Sequence, residues 1–184
     1  MGGNLERKVK VAEMALRCLL CGLGALAAAL VATDSQTRTF FSFQKKASFT
    51  DVKAMVFLVA ACGGAAGYSL LQAARCAAAM ARGRALTLNK ALAWSVFSCD
   101  QALAYVVLAA VAAALQASLI AKRGQPELQW AAICGLYGAF CRQAGGGIAS
   151  AVAAGLAAVL LAFVSAFNLF RLYGAGASRN GATW

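Results

Sequence analysis

Four long apolar stretches separated by short polar ones organise this chain. Residues 11–33, 54–74, 92–120 and 145–173 are dominated by Ala, Leu, Val, Gly, Phe and Cys. The third is apolar except, most conspicuously, at Asp100 and Gln101. As a helix of about 1.5 Å per residue, its roughly 29 residues would extend ~43 Å, longer than the ~30 Å hydrocarbon core of a bilayer. The pattern predicts an all-α integral membrane protein: an up-down-up-down four-helix bundle over residues 11–173, a short basic tail at 1–10 and a disordered Gly- and Ser-containing tail at 174–184. An even number of spans puts both termini on one side of the membrane.

Composition agrees with lipid as the solvent. Of the 184 residues, 62% are hydrophobic and 12% charged, with one proline, and the mean hydropathy is +0.71. A soluble domain of this length has no core large enough for so much apolar surface. The first stretch follows Arg7, Lys8 and Lys10 and leads into Asp34 and Ser35 with no small-residue cleavage site, so it reads as a retained span.

The net charge of +11 comes from residues scattered between the apolar stretches, without a basic block interleaved with aromatics. Anionic lipid is therefore the expected counter-charge, and no nucleic acid is expected as partner. Nine lysines and arginines lie on the side of the termini and seven on the other, a narrow vote for cytosolic termini under the positive-inside rule. Cys134 and Cys141 share the link between the third and fourth spans. Outside the cell two such thiols oxidise and on the cytosolic side they stay reduced; their spacing permits a bridge, which is the expectation here.

Helices in lipid gain no hydrophobic free energy by associating, so close backbone approach through small residues supplies much of the attraction. Gly63 and Gly67 form a GxxxG in the second span, and Gly147 and Gly155 flank Ala151 at the same spacing in the fourth. These glycines are the expected helix-packing positions. In the first polar link, Phe40, Phe41, Phe43 and Phe49 sit among Lys45 and Lys46, suited either to the membrane interface or to a partner surface.

The polar residues inside the spans are few. A carboxylate at the depth of Asp100 costs about 2.5–3.5 kcal/mol on insertion scales and calls for a partner. Counting inward from Lys10 and Lys90 places Arg17 about 10 Å and Asp100 about 15 Å deep on the same side. Tyr68, Gln72 and Asn168 arrive at that half from the other two spans. The expectation is an Arg17–Asp100 ion pair flanked by Gln101, Tyr68, Gln72 and Asn168, serving helix registry more than an ion or proton path. Glu13, four residues before Arg17, is an alternative partner within one helix, which would leave Asp100 neutral or paired across protomers.

Taken together, MALRCLLCGL around Arg17, SFTDVKAMVFLVAACGGAAGYSLLQA, FSCDQALAYVVLAA around Asp100, WAAICGLYGAFCRQ and SAFNLFRLY resemble the Casparian strip membrane domain protein-like (CASP-like) family of plants, relatives of the MARVEL four-span proteins. The resemblance covers roughly residues 7–173. It implies cytosolic termini, a plasma-membrane location and homo- or hetero-oligomers with related four-span proteins. Founding members form a membrane platform that localises wall-modifying enzymes, which makes extracellular or cell-wall proteins the expected partners. The first link lacks the signature associated with those founding members, so a CASP-like paralogue is expected.

The leading functional expectation is a non-catalytic plasma-membrane scaffold, the alternative a small channel or transporter subunit using the Arg17/Asp100 pair. With no histidine, no metal-ligand spacing, no phosphate loop and no nucleophile beside a base, neither an enzyme nor a cofactor is expected.

Overall fold

The computed structural model describes residues 2–40, 43–81 and 90–180. Phe41, Arg82 and Arg84 lie outside them, as do the side chains of Phe40 and Phe43. Four helices carry the fold: α1 (Gly2–Ala32), α2 (Lys53–Ala81), α3 (Lys90–Arg123) and α4 (Gly138–Asn180). Each contains a stretch long and apolar enough to cross a membrane. They form a ring in which α1 packs on α2 and α4, and α3 packs chiefly on α4 and less extensively on α2.

Each helix turns a narrow stripe inward. On α1 the buried positions are Arg17, Leu20, Gly24, Ala27 and Val31, alternately three and four residues apart. Asp34 extends the same series into the link that follows. That spacing is the coiled-coil seam, which keeps one face turned to its neighbours along a long helix. On α3 the matching series is Asp100, Ala104, Val107, Val111 and Ala114. The core is alanine-rich, including Ala27, Ala65, Ala110 and Ala151, so backbones approach closely and dispersion replaces the hydrophobic drive that lipid removes. Larger side chains such as Leu70, Leu71, Phe163 and Phe170 face outward, where acyl chains solvate them.

The glycines at the tightest contacts are not all the expected ones. A Cβ on Gly24 would stand 2.9 Å from the Cys62 carbonyl oxygen, and one on Gly147 would stand 2.5 Å from the Val31 Cγ2. These residues let α2 and α4 approach α1. Gly155 faces Leu108 and Val107 on α3 at ordinary contact distance. Gly63 and Gly67, expected to pack the bundle, are exposed with open space at their Cβ positions. The inward face of α2 is taken instead by Leu58, Ala61, Cys62, Ala65 and Ser69, which turns the GxxxG outward.

The α1–α2 and α3–α4 links are more ordered than the polar pattern suggested. Between α1 and α2 the chain forms an antiparallel hairpin, β1 (Ser35–Phe40) with β2 (Phe43–Ser48), in register from Ser35 opposite Ser48 to Phe40 opposite Phe43. The 3-10 turn Phe49–Asp51 leads into α2, with the Ser48 N–H donating to Asp51 Oδ2 at 2.9 Å. Phe49, expected at the interface or in a partner surface, packs against the bundle core.

The link between α3 and α4 is pinned by left-handed turns at Gly124 (φ 70°) and Gln129 (φ 54°). The N–H groups of Ile133 and Cys134 both donate to the Ala121 carbonyl. A side chain at Gly124 would collide with the Trp130 carbonyl oxygen, 2.6 Å from its Cβ position, so glycine's freedom at positive φ and its lack of bulk are both used there. At the other end, residues 174–180, expected to be disordered, continue α4. Extending an existing helix costs far less than nucleating one, so Gly174 and Gly176 do not stop it.

Candidate functional site

Four residues from three helices meet inside the half of the bundle that carries the termini. The seam on α1 reaches back one turn before Arg17, to Glu13, and the seam on α3 carries Asp100 between Ala93 and Ala104. Both ionisable groups occupy positions that are apolar farther along the same stripes, so helix geometry alone points them inward. Arg17 is 1% exposed. Its Nη1 and Nη2 donate to the two oxygens of Asp100 at 3.4 and 3.1 Å, a bidentate fork that a lysine could not reproduce. Its Nε and Nη2 also donate to Glu13 Oε1 at 3.2 and 2.9 Å.

One guanidinium therefore serves two carboxylates. From α4, Asn168 Nδ2 donates to the other Glu13 oxygen, Oε2, at 3.3 Å. The sequence treated Glu13 and Asp100 as competitors for Arg17, and the structure joins both to it. The i, i+4 spacing of Glu13 and Arg17 was the signal for a triad, since a residue that neighbours Arg17 on its own helix need not displace a partner from another one.

Tyr68 and Gln72 flank this centre as expected, with the Tyr68 hydroxyl within hydrogen-bonding and electrostatic reach of Asp100. Gln72 Nε2 donates to the Tyr68 hydroxyl at 3.1 Å, and the hydroxyl points at the Val96 carbonyl of α3, 3.5 Å away. Arg75 Nη1 donates to Gln72 Oε1 at 3.0 Å, so the pair leads from the interior toward the terminus-side surface.

Gln101 does not join the cluster, contrary to the sequence expectation. Successive helix residues are about 100° apart, and an inward Asp100 turns its neighbour away from the centre. Gln101 Nε2 donates to the hydroxyl of Tyr105 at 3.0 Å instead. Tyr105 is 63% exposed on the outer face of α3. Near the same end of the bundle Trp94 Nε1 donates to the Tyr173 hydroxyl at 2.8 Å, tying the start of α3 to the end of α4.

The opposite end of the bundle holds the hairpin and the link between α3 and α4. Cys134 and Cys141 form a disulfide with their Cα atoms 5.7 Å apart, joining the link to the first turn of α4. Polar residues unremarked in the sequence tie α1 and the hairpin to α4. Gln143 Nε2 donates to the Leu30 carbonyl and the Thr33 hydroxyl at 2.9 and 3.2 Å. Gln36 Oε1 accepts from the Phe140 N–H at 3.1 Å, and Ser150 Oγ donates to the Leu23 carbonyl at 3.0 Å. Between the two ends the core is aliphatic, from Leu20 and Leu58 to Val107, Val111 and Ile148.

Comparison with known proteins agrees with this architecture. The chain is 74% identical over 184 residues to CASP-like protein 2U1 of Sorghum bicolor, covering 97% of this chain and 95% of that protein. It is 68% identical to CASP-like protein 2B1 of Oryza sativa subsp. japonica, covering 98% of each. It is 54% identical to CASP-like protein 2B2 of Arabidopsis thaliana, covering 98% of this chain and 89% of that protein. No solved structure matches it. The model of the Casparian strip membrane protein domain matches residues 6–167. With four apolar spans and relatives of this similarity along nearly its whole length, the chain is a plant-type four-span membrane protein that belongs to the CASP-like family.

Proposed function

We propose that this protein is a non-catalytic scaffold of the plasma membrane, which assembles laterally with copies of itself and with related four-span proteins. Both termini face the cytosol, and the hairpin and the disulfide-closed link lie outside, where they recruit extracellular or cell-wall proteins. The observation that carries the reading is the outer surface of α2 and α3. Gly63, Gly64 and Gly67 leave an open strip on α2, and the Gln101–Tyr105 pair sits on the outside of α3. Tyr105 stands near the middle of α3 (Lys90–Arg123) and thus deep within the hydrocarbon. A phenol and an amide facing acyl chains keep hydrogen-bonding capacity that lipid cannot satisfy, whereas a neighbouring helix can. Bare backbone on α2 admits such a helix closely. The disulfide supports the assignment of sides, because bridges persist in oxidising compartments.

The buried triad fits this reading as a registry device. With Asn168 it holds α1, α3 and α4 at one relative height, and the aliphatic middle of the core separates it from the other membrane face, which argues against a conducting path. The test is cross-linking in native membranes together with native mass spectrometry from lipid nanodiscs. Dimers and larger assemblies are expected; a protein that is monomeric by both measures overturns the proposal.

A further inference from the structure

Asp34 is a buried acid outside the membrane-spanning helices. It lies in the link between α1 and β1, is 2% exposed, and its Oδ2 has no hydrogen-bond partner. Four elements close around it. Its N–H donates to the Val31 carbonyl of α1 at 3.1 Å, and its carbonyl accepts from the N–H of Phe49, in the turn after β2, at 3.4 Å. The hairpin base is fixed through the Gln36–Phe140 bond, while Gln143 of α4 holds Leu30 and Thr33 on the α1 side.

Burial pushes the Asp34 carboxyl up to about 6, and only the Ala144 N–H pulls it back. The charged residues of the surrounding elements whose side chains are described are engaged or exposed. Arg142 of α4, Lys46 of β2 and Lys53 at the start of α2 are exposed. Asp51 is committed to the Ser48 N–H. Arg38 and Lys45 stand opposite each other two positions farther along the strands from the Gln36–Ala47 pair. Among the described residues Asp34 makes no ion pair.

A carboxylate with a bare oxygen in a dry site draws in water or loses its charge. The neutral acid leaves the packing undisturbed. Water can enter by lifting the hairpin base, which among the described residues is attached through the Gln36–Phe140 bond, the long Phe49–Asp34 bond and the packing of Phe49 on the core. The α1–α4 contact has its own anchors at Gly147 and Ser150 and stays closed.

We propose that Asp34 is a proton-operated latch for the β1–β2 hairpin, seating the hairpin on α1 and α4 when protonated and releasing its base when ionised. The latch regulates the face to which partner recruitment is assigned above. Its placement outside the cell rests on that reading; the latch itself does not. Because the seated-state pKa is raised, seating is fully favoured below the ordinary carboxyl value of 3.8 and is lost as pH rises through about 6. With those two values, linkage makes the seating equilibrium roughly tenfold weaker at pH 7 than at pH 5.

The test is amide hydrogen exchange of residues 35–49 in the full chain in lipid nanodiscs, which bathe both faces and so leave the assignment of sides out of the result. After correction for intrinsic rates, the wild type is expected to lose roughly tenfold protection between pH 5 and pH 7, and Asp34→Asn to be equally protected at both, at or above the wild-type level at pH 5. Infrared detection of a protonated carboxyl that disappears near pH 6 checks the same group in the wild type. Protection that is independent of pH in the wild type, an unchanged pH response in Asp34→Asn, or a carboxyl ionised throughout this range overturns the proposal.

Discussion

Arg17 Nη2 lies 3.1 Å from Asp100 Oδ2 and 2.9 Å from Glu13 Oε1, so the contact between α1 and α3 is one side of a triad. The three members are not equivalent. Arg17→Ala strands two carboxylates, Asp100→Ala leaves Arg17 with Glu13, and Glu13→Ala leaves the bidentate Asp100 contact intact. Removing one partner of a buried ion pair costs about 3–5 kcal/mol. The expected order of destabilisation is Arg17→Ala, then Asp100→Ala, then Glu13→Ala, measured by unfolding in mixed detergent micelles. Asp100→Ala falls toward the lower end of that range. Equal losses at all three positions would refute a shared guanidinium.

The triad also changes what a charge swap tests. Exchanging Arg17 and Asp100 places a new aspartate one turn from Glu13, a like-charge i, i+4 pair. The swap alone is therefore expected to remain defective, and adding Glu13→Gln to restore part of the lost stability and surface expression. No gain from the third substitution would show that the Arg17–Asp100 contact does not govern assembly of the fold.

Glycines separate packing inside the bundle from contact outside it. Gly24→Ala pushes a methyl against the Cys62 backbone oxygen, which cannot yield as a flexible side chain would, and is expected to cost about 1–3 kcal/mol. Gly67→Ala meets open space and is expected to change monomer stability by less than about 0.5 kcal/mol. Thermal unfolding followed by fluorescence-detected gel filtration distinguishes the two.

The four spans and the depth match of Arg17 with Asp100 were legible because both depend on counting residues along helices, and that count is insensitive to rotation. Direction around the helix axis was not legible in the same way. When lipid-facing and core-facing residues are all Ala, Leu, Val and Gly, hydrophobic periodicity has little contrast, so Gly63 and Gly67 looked as suited to packing as Gly24. Gln101 was placed in the cluster by depth alone, and the rotation that accompanies an inward Asp100 was the missing constraint. A seam drawn through Glu13, Arg17, Leu20, Gly24, Ala27, Val31 and Asp34 would have found the inward face from its polar members. The hairpin was hidden by a short polar link, in which strand pairing and packing of Phe49 on the core replace any long hydrophobic pattern.

The assignment of sides has a direct chemical check. The Cys134–Cys141 bridge closes a short loop, worth about 2–2.5 kcal/mol by chain entropy at a separation of 7 residues. A membrane-impermeant reductant followed by an impermeant maleimide, applied to intact protoplasts, is expected to label this pair, whereas a tag on either terminus becomes accessible only after permeabilisation. The reverse pattern would place the hairpin in the cytosol.

Lateral assembly through α3 makes the last prediction, and it turns on a polar pair in the wrong solvent for a monomer. In an isolated protomer the Gln101 amide already donates to Tyr105, yet its oxygen and the phenolic proton still face acyl chains. Two copies share one membrane orientation, which brings these groups to equal depth, where each offers the donor and acceptor the other lacks. Hydrogen bonds between membrane helices are worth about 0.6 kcal/mol on average and up to about 1.7. Tyr105→Phe with Gln101→Leu should therefore weaken association by roughly 3- to 20-fold while leaving monomer unfolding nearly unchanged. Förster transfer between labelled copies in bicelles reads the first and detergent unfolding the second. Association that survives both substitutions would move the contact to the open glycine face of α2, where Gly67→Leu becomes the decisive variant.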